Sequence, residues 1–216
     1  MVFSHPLAVG GLTHFSTADY PGYLAAVVFC QGCPWRCTYC HNTHLQATGS
    51  DNSLSWQSVT EWLEKRRGLI DAVVLQGGLA RAMHQVREMG FRVGLHTAGI
   101  YPDRLAGVLP LVDWIGFDIK APFEDYPRIT SGKGGREARR SLAFVLASGK
   151  PHEIRCTVDE EQLSIADAER LSMQSAELGV NRLVLQSKRD TDGKASAISA
   201  PFIDAIARNI EYVEIR

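Results

Sequence analysis

Six short apolar runs, separated by segments of helical periodicity, constrain the possible folds of this chain more than any other feature. They lie at 24 to 30, 71 to 75, 91 to 96, 112 to 119, 152 to 158 and 181 to 187, with a shorter seventh at 211 to 215. Short apolar strand-like runs alternating with amphipathic helical segments are the pattern of a parallel sheet with crossover helices. Trp56, Val59, Trp62 and Leu63 share one face of a helix over 56 to 67, with Ser55 as N-cap and Leu54 and Val59 spaced for a hydrophobic staple. Leu79, Met83 and Val86 mark a second helix closed by Gly90. Two more span 135 to 148, ending at Gly149, and 165 to 178, where Ser164 and Asp167 have capping-box spacing and Gly179 closes the last turn. The expected fold class is α/β, a repeat of about six β/α units. With 216 residues, 45% of them hydrophobic, and no linker-like tract, one domain over 1–216 is expected.

Charge and composition remove several classes of function. A formal net charge of −1 gives no global electrostatic case for nucleic acid or an anionic membrane. The apolar runs are far too short to cross a bilayer, and Met1-Val2-Phe3-Ser4-His5-Pro6 lacks the charged and apolar regions of a secretory signal, so the expected location is cytoplasmic. Five cysteines, four of them within eleven residues, suit a reducing compartment better than a disulfide framework.

Those four stand in Phe29-Cys30-Gln31-Gly32-Cys33-Pro34-Trp35-Arg36-Cys37-Thr38-Tyr39-Cys40-His41-Asn42, at the end of the first apolar run. Cys33, Cys37 and Cys40 have C-x3-C-x2-C spacing, which places three thiolates on one tight loop. Three thiolates can hold three irons of a [4Fe-4S] cube and leave the fourth without a protein ligand, whereas an electron carrier closes the shell with a fourth cysteine. The spacing therefore points to chemistry at the cluster. Cys30 extends the run to C-x2-C-x3-C-x2-C, which offers four thiolates to zinc. Zinc is disfavoured because two knuckles normally stand a dozen or more residues apart. His41 and His44 could add imidazole ligands, and Cys30 reads as a small buried residue ending a strand. In a parallel α/β barrel, loops after the strands carry the reactive groups, which is where this loop falls.

The loop, its Tyr39-Cys40-His41-Asn42 ending, and the preceding Gly10-Gly11-Leu12-Thr13 and Asp19-Tyr20-Pro21-Gly22 resemble radical S-adenosylmethionine (SAM) enzymes. Within that superfamily the chain is similar to the short activating proteins of anaerobic ribonucleoside-triphosphate reductase. Gly94-Leu95-His96-Thr97-Ala98-Gly99 and Trp114-Ile115-Gly116-Phe117-Asp118-Ile119-Lys120 add support, and the resemblance weakens after about residue 160. It implies a partial (β/α)6 barrel, in line with the strand count. It also implies a [4Fe-4S] cluster and SAM, cleaved reductively to methionine and a 5'-deoxyadenosyl radical that abstracts hydrogen from a glycine of a partner enzyme. The implied partners are a glycyl radical enzyme, the anaerobic reductase, and a flavodoxin-type or ferredoxin-type reductant.

Carried over by position, the resemblance makes Cys33, Cys37 and Cys40 cluster ligands. Tyr39 and the backbone around His41 would lie against adenine. Asp118 and Lys120, two apart on one strand and so on one face, correspond to an Asp-x-Lys pair near substrate and the methionine carboxylate; a solvated strand-end pair is the plainer reading. Arg155 corresponds to an arginine that helps hold bound cofactor. Thr97 corresponds to the threonine of an Asp-Thr pair whose acid is here His96, which puts a cation site at that point in doubt.

A second departure lies in Val73-Val74-Leu75-Gln76-Gly77-Gly78-Leu79-Ala80, where the family usually reads Gly-Gly-Glu-Pro in the loop that contacts the methionine amino group. Gly77 and Gly78 are either the motif glycines or part of a downstream segment drawn up by a deletion. In both readings the loop is short. A degenerate homologue that binds a cluster but SAM weakly, and a small-molecule radical enzyme, are the alternatives to an activating enzyme. Trp35 and Arg36 could shield the cluster or meet a partner. Lys133, Arg136, Arg139 and Arg140 could dock an acidic surface, although such a run is more often a solvated helix face. His5, His14, His84 and His152 have no partner spacing.

Overall fold

In the computed structural model, which describes residues 7–48, 54–77, 80–189 and 192–216, the six apolar runs and the shorter seventh are all strands. The described residues fall into two compact units. One draws on Met1–Pro34, Asn42–Thr97 and Gly107–Ile115, the other on Trp35–His41, Ala98–Ala106 and Gly116–Arg216.

The first unit holds β1 (Ala8–Ser16), β2 (Ala25–Cys30), β3 (Leu54–Ser55), α1 (Trp56–Glu64), β4 (Ala72–Gln76), α2 (Ala80–Glu88) and β5 (Arg92–Thr97). Its strands run in the order β3-β1-β2-β4-β5. β2, β4 and β5 pair in parallel, with Val27 opposite Val74 and Val74 opposite Gly94. β1 is antiparallel to β2 and, through Val9 and Leu54, to β3. One sheet face carries Ala25, Val27, Ala72 and Val74, and Tyr20 packs on it, stacked against Trp114 at 5.2 Å. Tyr20 thus anchors the Asp19-Tyr20-Pro21-Gly22 turn to the core, while Pro21 and Gly22 stay exposed. α1 begins where expected, with the Ser55 side chain accepting from the Ser58 N–H. It ends at Glu64 instead of running to 67, because the chain turns through Lys65–Gly68 to enter the next strand.

The second unit contains most of α3 (Pro102–Val108) and of β6 (Trp114–Ile119). It also contains α4 (Tyr126–Thr130), α5 (Gly135–Ala147), β7 (His152–Val158), α6 (Ile165–Glu177), β8 (Arg182–Ser187), α7 (Ala200–Ala207) and β9 (Tyr212–Ile215). The strand order is β6-β7-β8-β9, and β7, β8 and β9 pair in parallel. α6 starts in the full capping box: Ser164 accepts from the Asp167 N–H, and Asp167 from the Ser164 N–H. α5 starts at Gly135, where a Cβ would lie 1.7 Å from the Phe123 carbonyl oxygen.

Several elements are absent from the periodicity. β1 contains Gly10-Gly11 and exposed Thr13, His14 and Phe15, a one-sided antiparallel strand in place of an apolar run. α3 and α4, of seven and five residues, are too short to show a period. α7 reads Ala-Pro-Phe-Ile-Asp-Ala-Ile-Ala and has almost no polar stripe, yet it has a proline in its first turn and a Ser199 cap.

Because the atom in the way at Gly135 is backbone, Gly135→Ala is expected to destabilise by about 3 kcal/mol or more. Gly107→Ala, with open space at the Cβ position, is expected to be neutral or to stabilise by up to about 1 kcal/mol. Urea melts of the two variants check the contrast.

Candidate active site

The cysteine loop is held from both sides of Pro34. Before it, the N–H groups of Gly32 and Cys33 both donate to the Leu45 carbonyl, at 2.8 and 3.1 Å, and Gln31 N–H donates to Ala8. After it, Arg36 N–H donates to the Thr130 carbonyl at 2.8 Å and Thr38 N–H to Ile129 at 3.2 Å. The Trp35 indole N–H donates to the Lys133 carbonyl at 3.1 Å, and its ring meets Tyr126 edge-on at 5.6 Å. Cys40 N–H closes a turn on the Cys37 carbonyl. Cys33 is exposed, and Cys37 and Cys40 are half-buried.

Between Trp35 and Tyr39 exposure alternates: Trp35 and Tyr39 are buried, Arg36 and Thr38 exposed. Tyr39 therefore faces inward, where Lys120 places its ammonium 5.8 Å from the ring centroid. Lys120 follows the last residue of β6 and stands 3.5 Å from Asp118, whose other carboxylate oxygen accepts from Arg155 of β7 at 2.8 Å. Asp118 and Lys120 do share a side, as their spacing predicts. The Lys120 N–H donates to the Tyr126 hydroxyl. One carboxylate thus lies between two cations, and the Lys120 ammonium suits an anionic ligand group such as a carboxylate.

Burial opposes the charge on Lys120, but Asp118 and the Cys37 thiol outweigh it, and its pKa lies above the ordinary lysine value. The amine remains an ammonium. Burial, reinforced by Cys156, Cys37 and Asp118, raises the Tyr39 phenol well above its usual range. The Cys156 thiol is pushed up to about 12 by burial, with Lys120 working against the shift, and burial alone brings Cys30 to about 12. These two thiols stay protonated at neutral pH.

His41 is exposed, and Thr97 ends β5 half-buried. Gly77 follows β4 with φ +129°, and a Cβ there would meet Cys30 Sγ at 3.2 Å, so glycine is required both by conformation and by space. Gly78 lies outside the described residues. β4 ends at Gln76 and α2 spans Ala80–Glu88; Gly77, Gly78 and Leu79 stand between them in the sequence, none of them acidic, and Leu79 too lies outside the described residues. His96 is buried, donates from Nε2 to the Asp19 carbonyl at 2.9 Å, and stands edge-on to Trp114. Its partner is the turn before β2.

Sequence reasoning passed over Tyr126 and Cys156, both buried beside Lys120. Cys156 was legible as the neighbour of Arg155. Tyr126 sits in a helix too short to read.

Two observations test whether this set suits a [4Fe-4S] cluster and SAM. No three His, Cys, Asp or Glu side chains among the described residues gather around a single ion. A cube asks for something different, because each cysteine binds its own iron. Second, the Tyr39 hydroxyl is buried with no hydrogen-bond partner among the described residues, a costly state that a bound polar group would relieve. A loop of three soft thiolates beside an ammonium and an unpartnered hydroxyl fits the pair of cofactors.

The radical SAM superfamily model matches residues 27–159, more than half of the chain, a span that includes Cys33, Cys37, Tyr39, Cys40, Asp118, Lys120 and Arg155. The chain belongs to the radical SAM superfamily. Membership brings the family's cofactors, a [4Fe-4S] cluster and SAM. A Methanocaldococcus jannaschii protein assigned as a glycyl-radical enzyme activating enzyme is 25% identical over 170 residues, 68% of this chain and 64% of that one. The pyruvate formate-lyase-activating enzyme of Streptococcus mutans is 25% identical over 167 residues, 68% and 63% of the two chains. The chain thus spans just under two thirds of the length of these relatives. A radical SAM methyltransferase from Sphaerobacter thermophilus superposes with a TM-score of 0.65 at 14% identity, over 98% of this chain and 77% of that one. The likeness shows the fold, the α/β partial (β/α)6 barrel class of this superfamily.

Two measurements follow. Iodoacetamide at pH 8 should modify Cys33, Cys37 and Cys40 of the folded apoprotein and reach the buried Cys156 only on unfolding; equal labelling of Cys156 would contradict the burial argument. Tyr39→Phe removes an unpartnered hydroxyl, so the apoprotein should gain about 1 kcal/mol, and the loaded protein should lose that advantage.

Proposed function

We propose that this chain is a glycyl radical enzyme activating enzyme and that its target is the anaerobic ribonucleoside-triphosphate reductase. The observation that carries the reading is the Cys33-Cys37-Cys40 loop with Tyr39 turned onto Lys120 and Asp118. When bound, the cluster and SAM supply the reductive cleavage that yields a 5'-deoxyadenosyl radical able to take hydrogen from a glycine. The protein's part is to bind, orient and exclude. Cys33, Cys37 and Cys40 hold the cluster. Lys120, kept charged by Asp118, offers an ammonium to the methionine carboxylate, and Arg155 fixes Asp118 by occupying its second oxygen. Tyr39 and Tyr126 wall the ammonium from water, which strengthens its pull on an anion. Arg155, Thr97, Gly77, Gly78 and the backbone at His41 complete the proposed cofactor contacts.

The short passage from β4 to α2 favours a second reading, a homologue that holds a cluster without turning over SAM. Isothermal titration of the reconstituted protein separates the two, since affinity in the range usual for the family would remove the second reading.

For the target, the anaerobically reconstituted protein is incubated with SAM, a reductant and either the anaerobic reductase or pyruvate formate-lyase. A glycyl radical EPR doublet on the reductase alone is the expected result. A doublet on pyruvate formate-lyase alone would reassign the partner. Alanine at Cys33, Cys37 or Cys40 should abolish the doublet together with the cluster absorbance.

A further inference from the structure

Between Cys33 and Cys37 only Trp35 is buried; Pro34 and Arg36 on either side of it are exposed. The cofactor contacts proposed above make no use of this side chain, yet the structure fixes it from several directions. Its indole N–H donates to the Lys133 carbonyl at 3.1 Å, and its ring meets Tyr126 edge-on at 5.6 Å. A Cβ on Gly132 would stand 3.0 Å from the indole and one on Gly134 2.8 Å, so the ring fills room that two missing side chains leave. Past Trp35, the N–H groups of Arg36 and Thr38 cap the Thr130 and Ile129 carbonyls at the C-terminal end of α4.

This seat is built without help from the thiols. Thr130 is fully buried, and its hydroxyl lies within hydrogen-bond reach of both the Tyr126 and the Gly132 carbonyls, at 2.7 and 3.0 Å. Ser131 turns the chain out of α4 with φ +53°, and Gly135 then packs directly on the Phe123 backbone. The Tyr126 hydroxyl accepts from the Lys120 N–H, which ties the seat to the strand end that carries the ammonium. Three thiolates on one loop repel one another, and each must meet its own iron. A loop ordered only by the cluster would lose its conformational freedom at the moment of assembly, whereas a loop ordered by the protein has lost it on folding.

We propose, on the strength of the cluster reading above, that Trp35 is a positioning residue for the cluster. Its indole, seated among Tyr126, Gly132, Lys133 and Gly134, orders the loop through Cys37 and Cys40 in the iron-free protein, so that iron and sulfide meet a preset template. Trp35 acts through the loop backbone and not on the reacting atoms. The same seat holds the loaded loop in place and slows the loss of iron to a chelator.

Two variants disturb the seat in different ways. Trp35→Phe keeps an aromatic ring in place and removes the N–H. Gly132→Ala, at a position outside the left-handed region, presses a methyl group on the indole and leaves the cysteine loop untouched. In the iron-free wild type, hydrogen exchange should show the Arg36 and Thr38 amides protected; in Gly132→Ala they should exchange about tenfold or more faster, with Trp35→Phe in between. After anaerobic reconstitution with iron and sulfide, bleaching of the cluster absorbance by excess EDTA should accelerate in the same order, while the β7 and β8 amides keep wild-type protection throughout. Free exchange of Arg36 and Thr38 in the iron-free wild type would overturn the proposal, as would EDTA rates equal to wild type in both variants. Loss of protection in β7 and β8 by the same factor as in the loop would also overturn it, since Trp35 would then fill the core of the whole unit. A wild type whose loop amides are protected but which takes up no [4Fe-4S] chromophore would overturn the cluster reading, and the proposal with it.

Discussion

The carboxylate of Asp118 organises the interior of this site. It reaches Arg155 with one oxygen and Lys120 with the other, and each cation is largely removed from water. Charges in that setting persist only when they are paired and hydrogen-bonded, and removing one partner leaves the other exposed to the full desolvation penalty. Lys120 stays protonated because of this pairing, and its ammonium is what turns the inner side of the cysteine loop into a place for an anionic group. The position of Tyr39 follows from the same arrangement, since a ring can lie near an ammonium whose charge is balanced behind it.

The loop itself owes its shape to backbone hydrogen bonds with segments distant in sequence. Leu45 takes two N–H groups ahead of Pro34; Ile129, Thr130 and Lys133 take three donors after it. Three thiolates can then be presented at separate points rather than gathered around one, which is what a cube requires and a single ion does not. No helix among the described residues is long and apolar enough to cross a membrane.

β2 and β4 were legible because each is a nearly uninterrupted apolar run, and the later strands because short apolar clusters recur between segments of helical periodicity. The three cysteines stood out because their C-x3-C-x2-C spacing puts three thiols on one loop, and backbone hydrogen bonds hold that loop. Asp118 and Lys120 were legible as a pair because a strand places i and i+2 on one face. β1 was hidden by its glycines and its wet face, α7 by being apolar nearly all round, and Tyr126 by belonging to a five-residue helix. The unpartnered Tyr39 hydroxyl and the bond from Trp35 to Lys133 could not be read at all, since they depend on residues brought together only by folding. The basic run at 133–140 shows the same limit: its composition suggested a solvated helix face, and only folding joins the Lys133 carbonyl at its start to Trp35 of the cysteine loop.

The central claim is that this loop and its buried ammonium support reductive cleavage of SAM despite the short passage from β4 to α2. The most direct measurement is the amount of 5'-deoxyadenosine formed when the anaerobically reconstituted protein is reduced with dithionite in the presence of SAM. The account predicts product in proportion to loaded cluster, lost when Cys33, Cys37 or Cys40 is replaced by alanine. A fully loaded, reducible cluster that yields no 5'-deoxyadenosine would contradict it.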